Sequence, residues 1–386
     1  MLPFNRSYLA ENTLEYIQKA LETPDLQGDG YFTKKCHQRL EQITGTACAL
    51  LTPSGTAALE MAALLIDLRE GDEVIMPSYT FSSTANAIVL RGATPVFVDI
   101  RRDTLNINEK LIEQAITDRT KAIVVVHYAG YGAQMDTIAA LAQKHNLFII
   151  EDAAQGIGAS FKGKPLGTLG HLGAFSFHAS KNIMAGEGGA LLINDSSFIE
   201  RAEIIREKGT NRSQFLRGDV DKYTWHEKGS SYLPSELTAS LLLSQLDMLE
   251  KITENRLNLW SQYHSLLSAL EEKGALKRPP LSPDCTHNAH SYYILLNDHA
   301  QQKELLAFMK ANGIQCTFHY VPLHSSPAGK KYGRSAGSLP VTNTIAETIV
   351  RLPLWPYMRQ EDIDKVVSLL LNFFGRTVKT QCSLKQ

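Results

Sequence analysis

Short apolar segments alternate with helical patterns between residues 33 and 195. The apolar segments are rich in Val, Ile and Phe, and each is bounded by Gly, Pro, Asp or Asn. They are EVIMP (73–77), TPVFVDI (94–100), KAIVVVHY (121–128), LFIIEDA (147–153), AFSFH (174–178) and GALLIN (189–194). Helical periodicity occupies SGTAALEMAALLIDL (54–68) and MDTIAALAQKHN (135–146). Apolar strands alternating with amphipathic helices predict a three-layer α/β/α domain with a mostly parallel sheet.

The pattern changes after Pro234. Leucines recur at mostly helical spacing from Leu242 to Leu270, which predicts one long or kinked helix. The Pro-rich stretch KRPPLSPDCTHN (277–288) predicts a loop, and the segments after it predict a smaller α+β domain. We therefore predict a large domain over residues 1–250, whose N-terminal segment could pack on the small domain, and a small domain over residues 251–386.

Composition narrows the class of protein without naming a reaction. The 386 residues include 39 Lys and Arg against 40 Asp and Glu, so the net charge of -1 argues against nucleic acid or an anionic membrane as the main partner. No segment approaches the roughly 18 consecutive apolar residues of a membrane helix, and no secretory signal pattern begins the chain. Five scattered cysteines without a C-x-x-C pair fit reduced thiols in the cytoplasm.

Polar residues follow the predicted strands, where the ligands of open α/β sheets bind. In LTPSGTAAL, a Ser-Gly-Thr turn opens a helix, so Gly55 and Thr56 could cradle a phosphate. A simple helix cap by Thr52 or Ser54 explains the same residues. Lys181 follows a buried strand and could be a desolvated nucleophile or an ordinary loop lysine.

Asp152 ends another apolar strand, where it could pair with the protonated ring nitrogen of a pyridine cofactor or cap the next turn. An aromatic residue, Phe81, and a hydroxyl, Ser176, also lie at strand ends. A phosphate cradle, a stacking ring, a carboxylate and a lysine are the groups that a pyridoxal phosphate site needs. Their combination, more than any single residue, predicts pyridoxal 5'-phosphate as the cofactor.

A specific resemblance adds to this interpretation. The segments GDEVIMPSYTFSSTANAI, GATPVFVDI, IIEDAAQGIGAS and GAFSFHASKNIMAGEGGALL closely resemble the nucleotide-sugar aminotransferases, which are pyridoxal-phosphate enzymes of the aspartate-aminotransferase fold. The resemblance runs from about Asn5 to the final helix, and FSFHASKN with GEGG is its most specific part. It implies fold type I of the pyridoxal-phosphate enzymes, a homodimer with sites at the interface, and no metal.

The resemblance also implies roles for individual residues. By position, Lys181 carries the cofactor and moves the proton, Asp152 pairs with the pyridine nitrogen, and Gln155 lies near the cofactor O3′. The remaining cofactor contacts would be Gly55, Thr56 and Ser176 on the phosphate and Phe81 on the ring. The segment HYVPLH is similar to the family's substrate loop, so His319, Tyr320 and His324 would face the sugar nucleotide.

One segment departs from the common family pattern. Where many relatives carry an Asn, Tyr or Arg that reaches the partner's phosphate, this chain has GSSYLPSEL, so Ser231 is the candidate for that contact. This segment resembles one subgroup, which moves the amino group of L-glutamate to C4 of dTDP-4-keto-6-deoxyglucose for enterobacterial common antigen. Another nucleotide-linked 3- or 4-keto sugar, or a non-catalytic member of the fold, is the alternative.

Other motifs point to different chemistry. GASFKGKP (158–165) contains G-x-x-x-x-G-K, but Pro165 stands where a nucleotide triphosphatase needs Ser or Thr. Cys285, His287 and His290 could ligate a metal, although their spacing is not that of a zinc finger. The related sugar dehydratases carry His at the lysine position, so Lys181 argues against that activity.

Overall fold

The structure is a computed structural model that describes residues 1–383, with side chains as far as residue 375. Its α-helices are α1 (Thr13–Leu21), α2 (Tyr31–Thr44), α3 (Gly55–Leu65), α4 (Ser82–Val89), α5 (Met135–His145), α6 (Ile199–Arg206), α7 (Arg212–Arg217), α8 (Glu236–Leu246), α9 (Leu249–Leu266), α10 (Ser268–Glu272), α11 (His299–Ala311), α12 (Pro327–Tyr332), α13 (Pro340–Thr348) and α14 (Gln360–Ser383). Its strands are β1 (Cys48–Thr52), β2 (Glu73–Pro77), β3 (Thr94–Val98), β4 (Thr120–Val126), β5 (Phe148–Asp152), β6 (Ser160–Phe161), β7 (Lys164–Pro165), β8 (Leu172–Ser176), β9 (Gly189–Ile193), β10 (Cys285–Thr286), β11 (Tyr292–Leu295), β12 (Arg334–Ser335) and β13 (Ile349–Leu352).

The main sheet has eight strands in the order β1-β9-β8-β5-β4-β2-β3-β12. Neighbours from β8 to β12 are parallel, whereas β9 is antiparallel to both β8 and β1. All six predicted strands are present, and the mostly parallel α/β prediction is confirmed. Strand β1 was missed, because CALLT is as compatible with a buried helix turn as with a strand.

Helices cover both faces of this sheet. On one face α3 packs its Ala- and Leu-rich surface onto the sheet, with Ala58, Ala62 and Leu65 in the core. Two other helices also pack against the sheet: Ile138 of α5 and Leu242 of α8 each lie in an apolar core with strand residues. The strands are buried on both sides, which is why they read as continuous apolar runs.

A second apolar core lies in the C-terminal part of the chain. Strands β11 and β13 form an antiparallel pair, and side chains of α9, α11 and α14 pack around it. The N-terminus reaches this region, because Leu2 bridges to Ile314. The domain boundary at residue 250 stays a prediction. Helix α9 contributes to both cores, because Ile252 packs in the core beside the main sheet and Trp260 packs in the C-terminal core.

The single helix predicted after Pro234 is divided into α8, α9 and α10. Asp247 and Met248 separate the first two, and Met248 leaves helical geometry at φ -105° and ψ 9°. Among the described residues no helix is both long and apolar enough to cross a membrane. Four of the five cysteines have described side chains, and all four are free thiols; Cys382 lies outside the described side chains.

Candidate active site

A cavity of about 410 Å³ opens at the carboxyl ends of the parallel strands. Its walls come from distant parts of the sequence, which the sheet and the C-terminal part bring together. The residues that line it are Phe4, Ser54, Gly55, Thr56, Leu59, Thr80, Phe81, Ser83, Val126, Asp152, Ala154, Gln155, Ser176, His178, Ser180, Lys181, Glu187, His290, His319, Tyr320 and Arg351. Nine of the eleven residues predicted for the site are therefore in one cavity; Ser231 and His324 are not.

The turn before α3 forms one wall. Ser54 caps the helix, because its hydroxyl accepts a hydrogen bond from the Ala57 amide at 3.1 Å. The capping interpretation is therefore correct for Ser54, but Gly55 and Thr56 remain on the cavity surface. A Cβ at Gly55 would lie 2.8 Å from the Ser176 Cβ, so only glycine permits this close approach. Unpaired helix amides beside hydroxyls suit a phosphate.

Asp152 ends β5 with its side chain 7% exposed. One carboxylate oxygen accepts from the Thr84 hydroxyl at 2.6 Å, and the other accepts from the Ala154 amide at 3.2 Å. Among the described residues no basic group lies within salt-bridge distance of it. A buried carboxylate without a cation is costly, so this one is suited to a cationic ligand in the cavity, such as a protonated pyridine nitrogen.

Lys181 lies in the turn after β8 and is partly buried. Burial lowers the pKa of its amine from 10.5 to about 8; the charge of Asp152 opposes this shift and that of Arg351 adds to it. A larger fraction of this amine is neutral near neutral pH than for an ordinary lysine, and the neutral amine is the form that attacks a carbonyl. The structure places Lys181 in the cavity lining, and its role there stays a prediction.

Gln155 and Phe81 occupy other walls. The Gln155 side-chain oxygen accepts from the Ala129 amide at 2.7 Å, and its nitrogen donates to the Tyr320 hydroxyl at 3.1 Å. Both ends of the amide are therefore fixed. Phe81 stands at the start of α4 and is 60% exposed, although it is a large apolar ring on the cavity surface. Such a ring is available to stack on a planar ligand.

The predicted substrate loop is only partly at the cavity. His319 and Tyr320 line it, with their rings stacked at a centroid distance of 3.9 Å. His324 instead bonds to the Ser78 hydroxyl at 2.7 Å, outside the lining. Ser231 is exposed and bridges to the backbone of Glu207, so within one chain it does not reach the cavity.

Sequence reasoning missed Phe4 and Arg351, and it singled out His290 only as a possible metal ligand. His290 bonds through Nδ1 to the Asn182 side-chain oxygen at 3.0 Å, and burial moves its pKa well below the usual range. Arg351 comes from β13, and no local motif marks it. Only the pairing of β13 with distant segments brings it to the cavity.

The rival motifs do not form their sites. Residues 158–165 fold into the short hairpin of β6 and β7 rather than a loop followed by a helix, so they make no phosphate-binding loop. No group of three or more metal-ligating side chains is found among the described residues. Cys285 lies in β10, which pairs with β6.

Comparison with known proteins gives consistent results. Residues 7–371 match the model of the "DegT/DnrJ/EryC1/StrS aminotransferase family". An uncharacterized protein of Methanocaldococcus jannaschii, MJ1066, is 34% identical over 375 residues, which cover 95% of this chain and 96% of that protein.

Solved structures of aminotransferases are similar to this chain over nearly its whole length. The aminotransferase TlmJ from Streptoalloteichus hindustanus superposes with a TM-score of 0.90 at 28% identity, covering 98% of this chain and 100% of that one. The PLP-form of the putative sugar aminotransferase Spr1654 from Streptococcus pneumoniae has a TM-score of 0.89 at 25% identity, covering 97% and 99%. The chain thus belongs to the DegT/DnrJ/EryC1/StrS family of sugar aminotransferases, which depend on pyridoxal phosphate.

Proposed function

We propose that this protein transfers the amino group of L-glutamate to C4 of dTDP-4-keto-6-deoxy-D-glucose. The products are 2-oxoglutarate and dTDP-4-amino-4,6-dideoxy-D-galactose, a sugar used for enterobacterial common antigen. The observation that carries transamination is the placement of a lysine with a lowered pKa and a buried carboxylate without a cation in one cavity. The choice of sugar rests on the resemblance of GSSYLPSEL to one subgroup.

The cavity residues fit pyridoxal phosphate in their chemistry. Gly55, Thr56 and Ser176 would hold the phosphate, and Phe81 would stack on the ring. Gln155 would lie near the ring O3′, and its fixed amide suits that contact.

When bound, pyridoxal phosphate supplies an electron sink that stabilises negative charge on the reacting carbon. The negative charge of Asp152 would keep the ring nitrogen protonated, and the Thr84 hydroxyl holds this carboxylate in place. Lys181 would hold the cofactor between turnovers. Its Nζ would take a proton from Cα of glutamate and later give a proton to C4 of the sugar.

The remaining proposed contacts involve the substrate and a second copy of the chain. His319 and Tyr320 would face the sugar nucleotide from the cavity wall, and His324 would contribute from just outside it. The exposed Phe81 shows that the cavity is open to one side, and a homodimer would close it. In that dimer Ser231 would reach the phosphate bound by the other copy. Free thiols among the described cysteines suit a cytoplasmic protein.

The test is an assay of purified protein with pyridoxal phosphate, L-glutamate and dTDP-4-keto-6-deoxyglucose. We expect 2-oxoglutarate and an amino sugar whose C4 configuration, read by NMR, is galacto. Lys181→Ala should lower turnover below detection because, among the described residues, no other lysine lines the cavity; Lys310→Ala, on the exposed part of α11, is the matched control. Normal turnover by Lys181→Ala would refute the assignment of this residue.

The same assay separates the alternative substrates. Amination of another nucleotide-linked 3- or 4-keto sugar, with none on dTDP-4-keto-6-deoxyglucose, would leave the transaminase intact and overturn the proposed sugar. Cofactor binding without turnover on any keto sugar would favour a non-catalytic member of the fold.

A further inference from the structure

The segment CTHNAH (285–290) forms no metal site among the described residues, but it places one histidine in the cavity. His290 lies in the loop before β11 and is 7% exposed, and its ring is part of the cavity lining. The proposed transamination leaves it without a role. A polar ring that reaches a substrate cavity is a candidate for a substrate contact.

Two buried asparagines determine which nitrogen of His290 carries the proton. The side-chain nitrogen of Asn288 donates to two backbone carbonyls, those of Gln155 and Ile157, both at 2.8 Å. Its oxygen accepts from the His290 amide at 3.0 Å. The side-chain nitrogen of Asn182 donates to the Asn288 carbonyl at 2.9 Å, which turns its oxygen toward Nδ1 of His290 at 3.0 Å. An amide oxygen only accepts hydrogen bonds, so in the neutral ring Nδ1 carries the proton and Nε2 is an acceptor.

The surroundings of His290 keep its ring uncharged. Burial moves its pKa well below the usual range, and positive charges nearby add to this shift. The groups that carry these charges are Lys181, Arg351, Arg256 and His319. Nε2 therefore remains an acceptor at neutral pH instead of taking up a proton.

Nε2 of His290 has no partner among the described residues. It makes no hydrogen bond with Lys181 or with any other described donor, and it is not one of the unpaired side-chain nitrogens that are sealed from solvent. Because His290 is otherwise buried and lines the cavity, this accessible nitrogen opens into the cavity. The acceptor is thus available to a ligand that brings a hydrogen-bond donor.

The two substrates of the proposed reaction differ in what they offer to this acceptor. The carboxylates of L-glutamate only accept hydrogen bonds, and its amine is the group that reacts. The keto sugar carries ring hydroxyls, which donate, so the acceptor suits the sugar. Its position suits a hydroxyl near the reacting carbon, because Asn182, which orients the ring, directly follows Lys181 in the chain.

We propose that Nε2 of His290 accepts a hydrogen bond from the sugar hydroxyl next to the carbon that receives the amine, and so helps to select the sugar. For dTDP-4-keto-6-deoxy-D-glucose this is the C3 hydroxyl. The inference rests on the proposed function and adds to it a residue that contacts the sugar ring instead of the nucleotide or the cofactor. Asn182 holds the imidazole in the tautomer that accepts.

The test compares two analogues that differ only in this hydroxyl, dTDP-6-deoxy-D-glucose and its 3-deoxy form. Both carry a hydroxyl at C4 in place of the keto group, so neither can be aminated. Their binding to the holoenzyme is measured by titration calorimetry. We expect the wild type to bind the 3-deoxy form about 5–20-fold more weakly, because Nε2 is then left without a donor. His290→Phe, which keeps a ring but has no acceptor, should bind the two forms with equal affinity.

Two controls accompany this comparison. Free dTDP should bind equally to wild type and His290→Phe, because the proposed contact lies on the sugar. His299→Phe is the matched variant, because His299 is exposed at the start of α11 and does not line the cavity. It should prefer the hydroxyl-bearing analogue as strongly as the wild type does.

Circular dichroism and thermal melting establish that each variant is folded; if His290→Phe is not, His290→Asn decides, since it keeps a polar group beside Asn182 on a shorter side chain. Equal wild-type affinity for the two analogues, or binding of neither, would overturn the inference. So would an undiminished preference in a folded His290 variant, or an equal loss of affinity for both analogues and for dTDP, since His290 would then only support the cavity wall. A preference that depends on His290, in a protein that aminates no sugar, would support the inference and contradict the proposed function.

Discussion

At the scale of single residues, the environment of Lys181 determines how the amine behaves. Burial lowers its pKa to about 8, Asp152 raises it and Arg351 lowers it. The fraction of neutral, reactive amine should therefore rise with pH through about 8 rather than near the 10.4 of an ordinary lysine. We expect the rate of Lys181 acylation by acetic anhydride in the cofactor-free protein, followed by peptide mass spectrometry, to show this midpoint.

Two neighbouring substitutions should move that midpoint in opposite directions. Asp152→Asn removes a negative charge that favours the ammonium form, so the midpoint should fall. Arg351→Met removes a positive charge that opposes it, so the midpoint should rise. Equal midpoints in all three proteins, or a wild-type midpoint near that of free lysine, would contradict this account of the Lys181 environment.

The positions of the site residues in the structure show how far single residues can be predicted from sequence. Asp152 and Lys181 were predicted because Asp152 ends one apolar strand and Lys181 lies in the turn after another, and the carboxyl ends of parallel strands meet at one edge. Arg351 was not, because its strand pairs with a remote segment and its ring contact is Phe4, 347 positions earlier. His324 was expected at the site from the resemblance, but its hydrogen bond to Ser78 holds it outside the cavity lining.

At the scale of elements, Glu236 joins two helices. It lies in the first turn of α8 and is 1% exposed, and its carboxylate accepts from the amides of Gly30, Phe32 and Thr33 at 3.1, 2.7 and 3.2 Å. It thus caps α2, whose own capping residue Gly30 has no side chain to do so. Glu236→Gln replaces one acceptor oxygen by a donor and removes the charge from a helix N-terminus.

We expect Glu236→Gln to lower the free energy of unfolding by about 1–3 kcal/mol, measured by urea unfolding followed by circular dichroism. Glu250→Gln is the matched control, because Glu250 pairs with Arg39 on the surface; its effect should stay within about 0.5 kcal/mol. A Glu236→Gln protein as stable as the control would show that the cap contributes little.

Elements also differ in how well sequence predicts them. The strands between residues 73 and 193 were predicted because fully buried parallel strands leave a continuous apolar pattern. The break between α8 and α9 has no Gly or Pro to mark it. It lies where the N-terminal segment packs: the Tyr16 hydroxyl donates to Asp247 at 2.9 Å, and the Gln245 amide donates to the Tyr8 carbonyl at 3.0 Å. Such tertiary contacts leave no local signal.

At the scale of the whole molecule, Glu73 ties the C-terminal part to the main sheet. Glu73 is the first residue of β2 and is 2% exposed. It accepts from Nε and Nη2 of Arg334 in β12 at 3.0 and 2.6 Å, and from Arg119 at 2.5 Å. Hydrogen bonds from Arg334 are the largest cause that lowers the Glu73 pKa, from 4.5 to about 2.

The depressed pKa fixes the pH range in which this tie stabilises the fold. In the unfolded chain Glu73 takes up its proton near pH 4.5, whereas in the folded protein it does so near pH 2. Its contribution is therefore fully present above about pH 5 and is lost progressively as the pH falls toward 2.

We expect the melting temperature of Glu73→Gln to lie below that of wild type by a constant amount above pH 5, and this difference to shrink between pH 4.5 and 3. Arg334→Met removes the partner that contributes most to the low pKa of Glu73, so in that background the pH-dependent part of the difference should become smaller. Glu254→Gln is the control, because Glu254 forms no salt bridge among the described residues. A difference between wild type and Glu73→Gln that did not change with pH would mean that Glu73 acts through packing rather than through its charge.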